Sequence, residues 1–77
     1  MRLINVIASE IENDWVKVNY AARPYLDAMK ELYTINDAYY LDSADGIVSR
    51  FLANAGSWRG DVARKVKQEL KEMLNGV

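Results

Sequence analysis

The sequence predicts an all-α protein, with one domain over residues 1–77 that forms a small bundle of about four helices and ends in an αα-hairpin. Apolar residues recur every three or four positions in four separate segments, whereas the alternation typical of strands is nearly absent. The hydrophobic content of 51% argues for a filled core and against disorder. A chain of 77 residues nevertheless forms a core that is only marginally sufficient, so association with another chain is expected.

The first half of the chain predicts two helices and an irregular segment. The first helix covers residues 3–18, and the second covers residues 24–34 and begins with the only proline, whose fixed φ suits a first helical turn. Residues 35–41 are the least regular segment, and Asn36-Asp37 favours a turn within a packed loop or a short helical turn. The apolar stripe of the first helix consists of Ile4, Ile7, Ala8, Ile11, Trp15 and Val18.

The last third of the chain predicts two capped helices joined by a short turn. Asp42 or Ser43 caps the third helix, because a short polar side chain there can accept from free backbone N–H groups. Gly56 fits the left-handed position that ends this helix, and Ser57 then caps the fourth. Gly76 closes the fourth helix. The two helices are therefore expected to form an αα-hairpin.

The core is expected where the last helix meets the earlier ones. Its apolar residues follow a nearly straight seam, which should pack against Phe51, Ile11 and Trp15. The third helix contributes a second buried face. The seam consists of Trp58, Val62, Val66, Leu70 and Met73, and the face consists of Ile47, Val48, Phe51, Leu52 and Ala55.

The side chains that most catalytic sites require are missing. The chain has no histidine and no cysteine, so the usual general base, the commonest metal ligand and thiolate chemistry are absent. Two carboxylate pairs, Glu10/Asp14 and Asp27/Glu31, each stand four residues apart, but they are expected on the solvent face without a histidine to support them. No glycine-rich phosphate loop is present. We therefore expect a protein that is not an enzyme and uses no cofactor or metal.

The sequence shows no targeting segment. The apolar run near the start, residues 3–8, is too short for a signal peptide and leads into three acidic residues. No uncharged apolar stretch approaches the length of a membrane span. We therefore expect a cytoplasmic protein that does not interact with a membrane.

Charge is distributed unevenly along the chain. The net charge is −4 through Asp45 and +3 from Gly46 onward. The basic residues of the last two helices predict an anion-binding face for phosphate or an acidic protein. The alternative is a solvated helix surface, because Glu69 and Glu72 interleave with the lysines. The candidate binding cations are Arg50, Arg59, Arg64 and Lys67.

Aromatic residues are numerous for so short a chain. Tyrosine and tryptophan are favoured at binding surfaces because they are large, fairly rigid and half polar. Trp15 and Trp58 lie on the apolar stripes and are expected in the core. Tyr39 and Tyr40 lie in the irregular segment and are candidates for an exposed binding surface.

Two segments resemble a group of short proteins found in tailed phages and prophages. They are Pro24-Tyr-Leu-Asp-Ala-Met29 and Phe51-Leu-Ala-Asn-Ala-Gly-Ser-Trp-Arg-Gly-Asp-Val-Ala-Arg-Lys-Val-Lys-Gln-Glu-Leu70. The resemblance covers most of the chain and centres on the corner at Trp58-Arg59-Gly60. It implies an accessory protein made in a bacterial cytoplasm, and it carries no catalytic or binding residue with it. Small proteins of such genomes often bind a host protein or sequester a small signal molecule.

Two functional hypotheses follow. The first is a non-enzymatic phage or mobile-element accessory protein that binds a host protein, with antagonism of host defence as one candidate purpose. The second is a binder of a nucleotide signal or a nucleic acid that uses the basic face of the last helix.

Self-association is expected in addition. Ile4, Val6, Val16 and the tyrosines of the middle segment give more apolar surface than one small bundle readily hides. A two-fold homodimer is the commonest solution, and higher oligomers are the alternative.

Overall fold

The computed structural model describes residues 2–39 and 42–76. Within these ranges the chain folds into a small bundle of four helices, which confirms the expected all-α class. The third and fourth helices contact each other as the expected C-terminal pair, and the third also packs on the second. The helices are α1 (Ile4–Asp14), α2 (Arg23–Met29), α3 (Ala44–Ala53) and α4 (Asp61–Leu74).

A very short antiparallel strand pair departs from a purely helical bundle. Strand β1 (Ala38–Tyr39) pairs with β2 (Asp42–Ser43) within the described part of the chain. The turn expected near the start of residues 35–41 is present, because the backbone N–H of Asp37 donates to the carbonyl of Thr34 at 3.1 Å. Residues 35–39, the described part of the irregular segment, are therefore a turn followed by strand β1.

Helix α1 ends four residues earlier than the sequence predicts. The backbone of Trp15 already leaves the helical region, with φ of −92° and ψ of 88°. Asn19 then organises a turn of its own: its side-chain oxygen accepts from the N–H of Ala21, and its carbonyl accepts from the N–H of Ala22. Asparagine competes with helix formation in this way, and the connection from Trp15 to Ala22 therefore includes a turn at Asn19.

Helix α2 also ends early, at Met29 rather than Thr34. The carbonyls of Leu32 and Tyr33 accept from the N–H groups of Asn5 and Ile4 at 3.0 and 2.9 Å. These N–H groups belong to the first turn of α1, which has no side-chain cap. Because α2 ends at Met29, the backbone carbonyls that follow it are free to cap the first turn of α1.

The connection between α3 and α4 differs most from the prediction. Ser43 caps α3 as expected, since its hydroxyl accepts from the N–H of Gly46. Helix α4, however, begins at Asp61 with Gly60 as its N-cap, so Ser57 does not cap it. Gly60 has a positive φ of 116°, whereas Gly56 does not adopt the left-handed conformation expected of it. Residues 54–60 therefore form a loop, and Trp58 packs from that loop rather than from the helix.

The core lies between the four helices and includes the loop tryptophan. Trp58 and Trp15 are 2% and 6% exposed, which confirms that both are core residues. The Trp15 ring meets the ring of Phe51 edge-on, with centroids 6.1 Å apart. Val62 is only partly buried, because it lies in the first turn of α4 at the rim of the core. Other large, fully buried residues are Ile4, Ile7, Ile11, Leu26, Met29, Leu32, Ile47, Leu70, Val48 and Val66.

Ile4 does not belong to the spare apolar surface expected from the sequence. Its side chain is fully buried in the core, because it faces inward on the first turn of α1. Among the side chains that the structure describes, the large apolar residues that remain exposed are Leu3, Val6, Val16, Tyr20 and Tyr33.

Candidate functional site

A cavity of about 240 Å³ opens where the α3–α4 loop enters α4, and we call it the α4 cavity. Three of the four candidate cations line it, which brings together residues that the sequence placed on one helix face. The fourth, Arg50, does not line it. It lies on α3, where its guanidinium contacts a carboxylate oxygen of Asp42 at 3.4 Å. The cavity is lined by Trp58, Arg59, Gly60, Ala63, Arg64 and Lys67.

Lys67 is held in this cavity by Trp58. Its Nζ donates to the backbone carbonyl of Trp58 at 2.7 Å, and it lies 5.9 Å from the centroid of the indole ring. Both contacts are attractive for an ammonium group, the second through the negative face of the ring. The lysine therefore reaches from the second turn of α4 back to the loop, and its charge is fixed there.

The cavity has uncompensated positive charge. The pKa of Lys67 is lowered, chiefly because partial burial removes water from its ammonium group and secondarily because Lys71 and Arg59 repel it. Arg59 makes no ion pair with any described residue. Arg64 pairs with Asp61 at 2.9 Å, but both side chains are largely exposed, so that pair contributes little energy.

The candidate tyrosines give no further support for this site. Tyr39 belongs to β1, but its side chain lies outside the described part of the structure. Tyr40 lies outside the described residues altogether. Their role as an exposed binding surface therefore stays a prediction.

A second cavity, also of about 240 Å³, is an apolar groove that the sequence did not indicate. Leu3 and Tyr33 form its exposed walls, with 45% and 58% of their surface open to solvent. The groove joins the start of the chain, the segment after α2 and the last turn of α4, which are far apart in sequence. We call it the Leu3–Tyr33 groove. It is lined by Arg2, Leu3, Tyr33, Thr34, Ile35, Asn36 and Met73.

The charge at the edge of the Leu3–Tyr33 groove is already neutralised. The guanidinium of Arg2 contacts Glu69 at 2.6 Å and Glu10 at 2.8 Å. Hydrogen bonding to these two carboxylates raises the pKa of Arg2, and hydrogen bonding to Arg2 lowers the pKa of Glu69. The groove therefore offers an apolar surface with polar edges rather than a charged site.

Three of the four paired carboxylates, Asp14, Asp27 and Glu31, are exposed as the sequence predicts, and the fourth is not. Asp14 accepts a hydrogen bond from the indole Nε1–H of Trp58 at 2.8 Å, and Glu10 is half-buried beside Arg2 rather than on the solvent face. Asp27 contacts Arg23 at 3.2 Å. Across residues 2–39 and 42–76, no group of three or more carboxylates is placed to hold a metal ion. No described helix has the length and apolar character needed to cross a bilayer.

Comparisons with known proteins were made at three levels. No protein-family model, no curated protein and no solved structure matches the chain. The resemblance to phage and prophage proteins therefore stays a prediction.

Proposed function

We propose that the chain is a non-enzymatic accessory protein that binds a host protein through the Leu3–Tyr33 groove. The observation that carries the proposal is the groove itself, where two large apolar side chains remain open beside a filled core. Contiguous apolar surface of this kind is typical of interaction sites. The resemblance to phage and prophage proteins supports a partner in a bacterial cytoplasm, with antagonism of host defence as one purpose.

The size of the groove and the pairing of Arg2 limit what can occupy it. Its volume of about 240 Å³ is below the roughly 300–1,000 Å³ of pockets that enclose a drug-sized ligand. It fits one anchoring side chain of a protein, and such anchors supply much of the affinity of protein interfaces. Because Arg2 is already paired, an acidic anchor gains nothing there. The partner should therefore present a leucine, methionine or aromatic residue.

Side-chain substitutions in the groove test this proposal. Leu3→Ser and Tyr33→Ser each remove an apolar wall, whereas Tyr20→Ser removes an exposed tyrosine outside the groove. The wild-type chain and the three variants are used to capture proteins from a bacterial lysate. A protein lost with both groove variants and kept with Tyr20→Ser is then purified and titrated by calorimetry.

The expected result is a loss of affinity of about tenfold or more for Leu3→Ser and Tyr33→Ser, because each removes about 1.5–3 kcal/mol of apolar burial. The Tyr20→Ser variant should bind as tightly as the wild type. Equal binding by all three variants, or no partner that distinguishes them, would overturn the proposal.

The second candidate function is binding of a nucleotide signal or a nucleic acid by the basic face of the last helix. The observation that favours it is that Arg59, Arg64 and Lys67 line one cavity. A nucleic-acid face needs several free cations along a backbone track. Here Arg64 is paired with Asp61 and the ammonium of Lys67 faces the Trp58 carbonyl, so a small anion is favoured over a nucleic acid. Titration with oligonucleotides and cyclic nucleotides at two salt concentrations tests this candidate.

A further inference from the structure

Arg59 and Lys67, two cations beside the start of α4, differ from the cations that pair with carboxylates elsewhere in the described part of the chain. Arg2, Arg23 and Lys30 each contact carboxylates at 3.6 Å or less. In contrast, the described lining of the α4 cavity contains Arg59 and Lys67 with no carboxylate facing either of them. Lys67 is partly buried and is repelled by the exposed Arg59, and an anion beside both would offset this repulsion.

Lys67 is positioned to bind such an anion. An ammonium group has three N–H donors, and the carbonyl of Trp58 takes one of them. The two that remain are available to an anion in the cavity. The lowered pKa of Lys67 has burial as its main cause and the repulsion from Lys71 and Arg59 as a further one, and a bound anion would oppose both.

The start of α4 adds a smaller contribution. Gly60 lines the cavity and is the N-cap of this 14-residue helix, and no side chain caps the first turn. The free N–H groups there carry partial positive charge, which favours an anion by a modest amount. Asp61 lies outside the cavity lining, and its Oδ1 accepts from Arg64 at 2.9 Å.

The cavity has no surface on which a nucleotide base could stack. The Trp58 ring is 2% exposed, and one of its faces is covered by Trp15, with ring centroids 5.8 Å apart. A volume of about 240 Å³ is also below the range of pockets that enclose a whole drug-sized ligand. Recognition is therefore restricted to the anionic group, and the rest of a ligand stays in solvent.

We propose that the cavity formed by Trp58, Arg59, Gly60 and Lys67 is a phosphate site, which binds the phosphate group of a small molecule and does not distinguish the organic part. Arg59 and Lys67 are the principal ligands. A nucleotide and inorganic pyrophosphate offer the same chemistry, so both should occupy it. The site shares no residue with the Leu3–Tyr33 groove. The phosphate site can therefore be tested independently of the proposed host-protein binding.

The test is a titration of the full chain followed by the NMR signals of the Trp58 side chain and of the Gly60 backbone. The probes are inorganic phosphate, pyrophosphate, ADP and CDP, each at about 50 mM and about 200 mM salt. Arg59→Gln and Lys67→Gln each remove one ligand. Lys65→Gln is the matched control, since it removes an exposed cation of the same helix that does not line the cavity.

The expected result is saturable binding of pyrophosphate, ADP and CDP with dissociation constants within about threefold of one another. Arg59→Gln and Lys67→Gln should each weaken binding by about tenfold or more, because each removes a charge-assisted hydrogen bond. Lys65→Gln should leave binding unchanged. Arg59 is exposed, so Arg59→Gln should stay folded, and a loss of binding in this variant reports the loss of a ligand and not unfolding.

Three results would overturn the proposal. The first is the absence of saturable shifts with pyrophosphate, and the second is an equal loss of binding in Lys65→Gln. The third is tighter binding of a single-stranded oligonucleotide than of pyrophosphate, with a steep salt dependence, which would assign the cations to nucleic acid. Normal phosphate binding by Leu3→Ser would separate this site from the groove.

Discussion

The indole rings of Trp58 and Trp15 stack in parallel, with centroids 5.8 Å apart and planes inclined by 12°. The Nε1–H of Trp58 also donates to Asp14 at 2.8 Å, so the loop before α4 is joined to the end of α1 across 44 residues of sequence. The carbonyl of the same tryptophan accepts from Lys67. Trp58 therefore links the core to the α4 cavity.

Replacing Trp58 with alanine should destabilise the protein severely. Removal of a buried tryptophan side chain costs about 3–5 kcal/mol. The total stability of small domains is about 5–15 kcal/mol, so the variant should melt far below the wild type or fail to fold. Thermal unfolding followed by circular dichroism measures the change.

The control for this substitution is Lys17→Ala, which shortens an exposed side chain of the α1–α2 connection. Its stability should stay within about 0.5 kcal/mol of the wild type. An unchanged melting temperature in Trp58→Ala would place the indole on the surface and contradict the packing described above.

Asp14 should protect the indole N–H of Trp58 from exchange with water. Asp14→Ala removes the acceptor of a partly buried donor and should cost about 1 kcal/mol. Asp14→Asn keeps a side-chain oxygen as acceptor and should cost less. Hydrogen exchange of the Trp58 Nε1–H by NMR provides the measurement, with faster exchange expected in Asp14→Ala. Equal exchange rates in the two variants would argue against the hydrogen bond.

The four helices and most of the core were predictable from sequence, because the apolar period and the Ser43 cap act locally, whereas the short pair of strands was not. The α3–α4 connection was not predictable, because the glycine that adopts a positive φ is the N-cap of α4 and not the glycine that follows α3. Gly56 has the local sequence of a helix end, yet the positive φ falls at Gly60. Burial of Trp58 from a loop, with Lys67 holding its carbonyl, is a long-range packing effect that no local pattern records.

The two cavities also differ in how far the sequence predicts them. The cations of the α4 cavity lie within one short stretch, so charge pattern alone placed Arg59, Arg64 and Lys67 together. The Leu3–Tyr33 groove joins residues about thirty to seventy positions apart in sequence, and only the docking of α1 on the carbonyls after α2 creates it. No periodicity in the sequence marks such a site.

Gly60 and Gly56 should respond oppositely to alanine. Gly60 has φ of 116° and ψ of −177°, a region that is essentially restricted to glycine, so Gly60→Ala should cost about 1–3 kcal/mol. Gly56 lacks a positive φ, and a Cβ there meets nothing within 4 Å. Gly56→Ala should therefore be neutral or stabilise by about 0.4–1 kcal/mol, because it restricts the unfolded chain. Urea unfolding of both variants tests this, and equal effects would contradict the assigned loop.

The ion pair between Arg2 and Glu69 should make stability depend on pH. Hydrogen bonding to Arg2 lowers the pKa of Glu69 in the folded state. The stabilisation is therefore fully present above the unfolded pKa of about 4.3 and is lost as pH falls through the lower folded pKa. Arg2 stays charged throughout, so Glu69 alone titrates in this pair.

Glu69→Gln tests this dependence against the wild type by melting between about pH 7 and pH 3. The difference in stability should be about 1 kcal/mol or less at neutral pH, since both side chains are partly exposed. It should shrink on acidification. Glu72→Gln, an exposed carboxylate on the same helix, controls for the loss of one negative charge. A difference that grows as the pH falls would refute the assignment.

The protein should self-associate through the connection between α1 and α2. Val16 and Tyr20 are 85% and 89% exposed there, which leaves large apolar side chains open outside the groove. Apolar burial should drive the contact, since exposed charge pairs add only about 0–1 kcal/mol each. Moderate salt should therefore weaken association only slightly.

Light scattering over a range of protein concentrations provides the measurement. We expect a homodimer or a higher oligomer at micromolar concentration, and Val16→Ser and Tyr20→Ser should each shift the mass toward the monomer because they remove exposed apolar area. Lys17→Ser changes the same connection without removing an apolar side chain, so it should leave the mass unchanged. A mass of 8.8 kDa at high concentration would rule out self-association, and it would leave Val16 and Tyr20 open to a foreign partner.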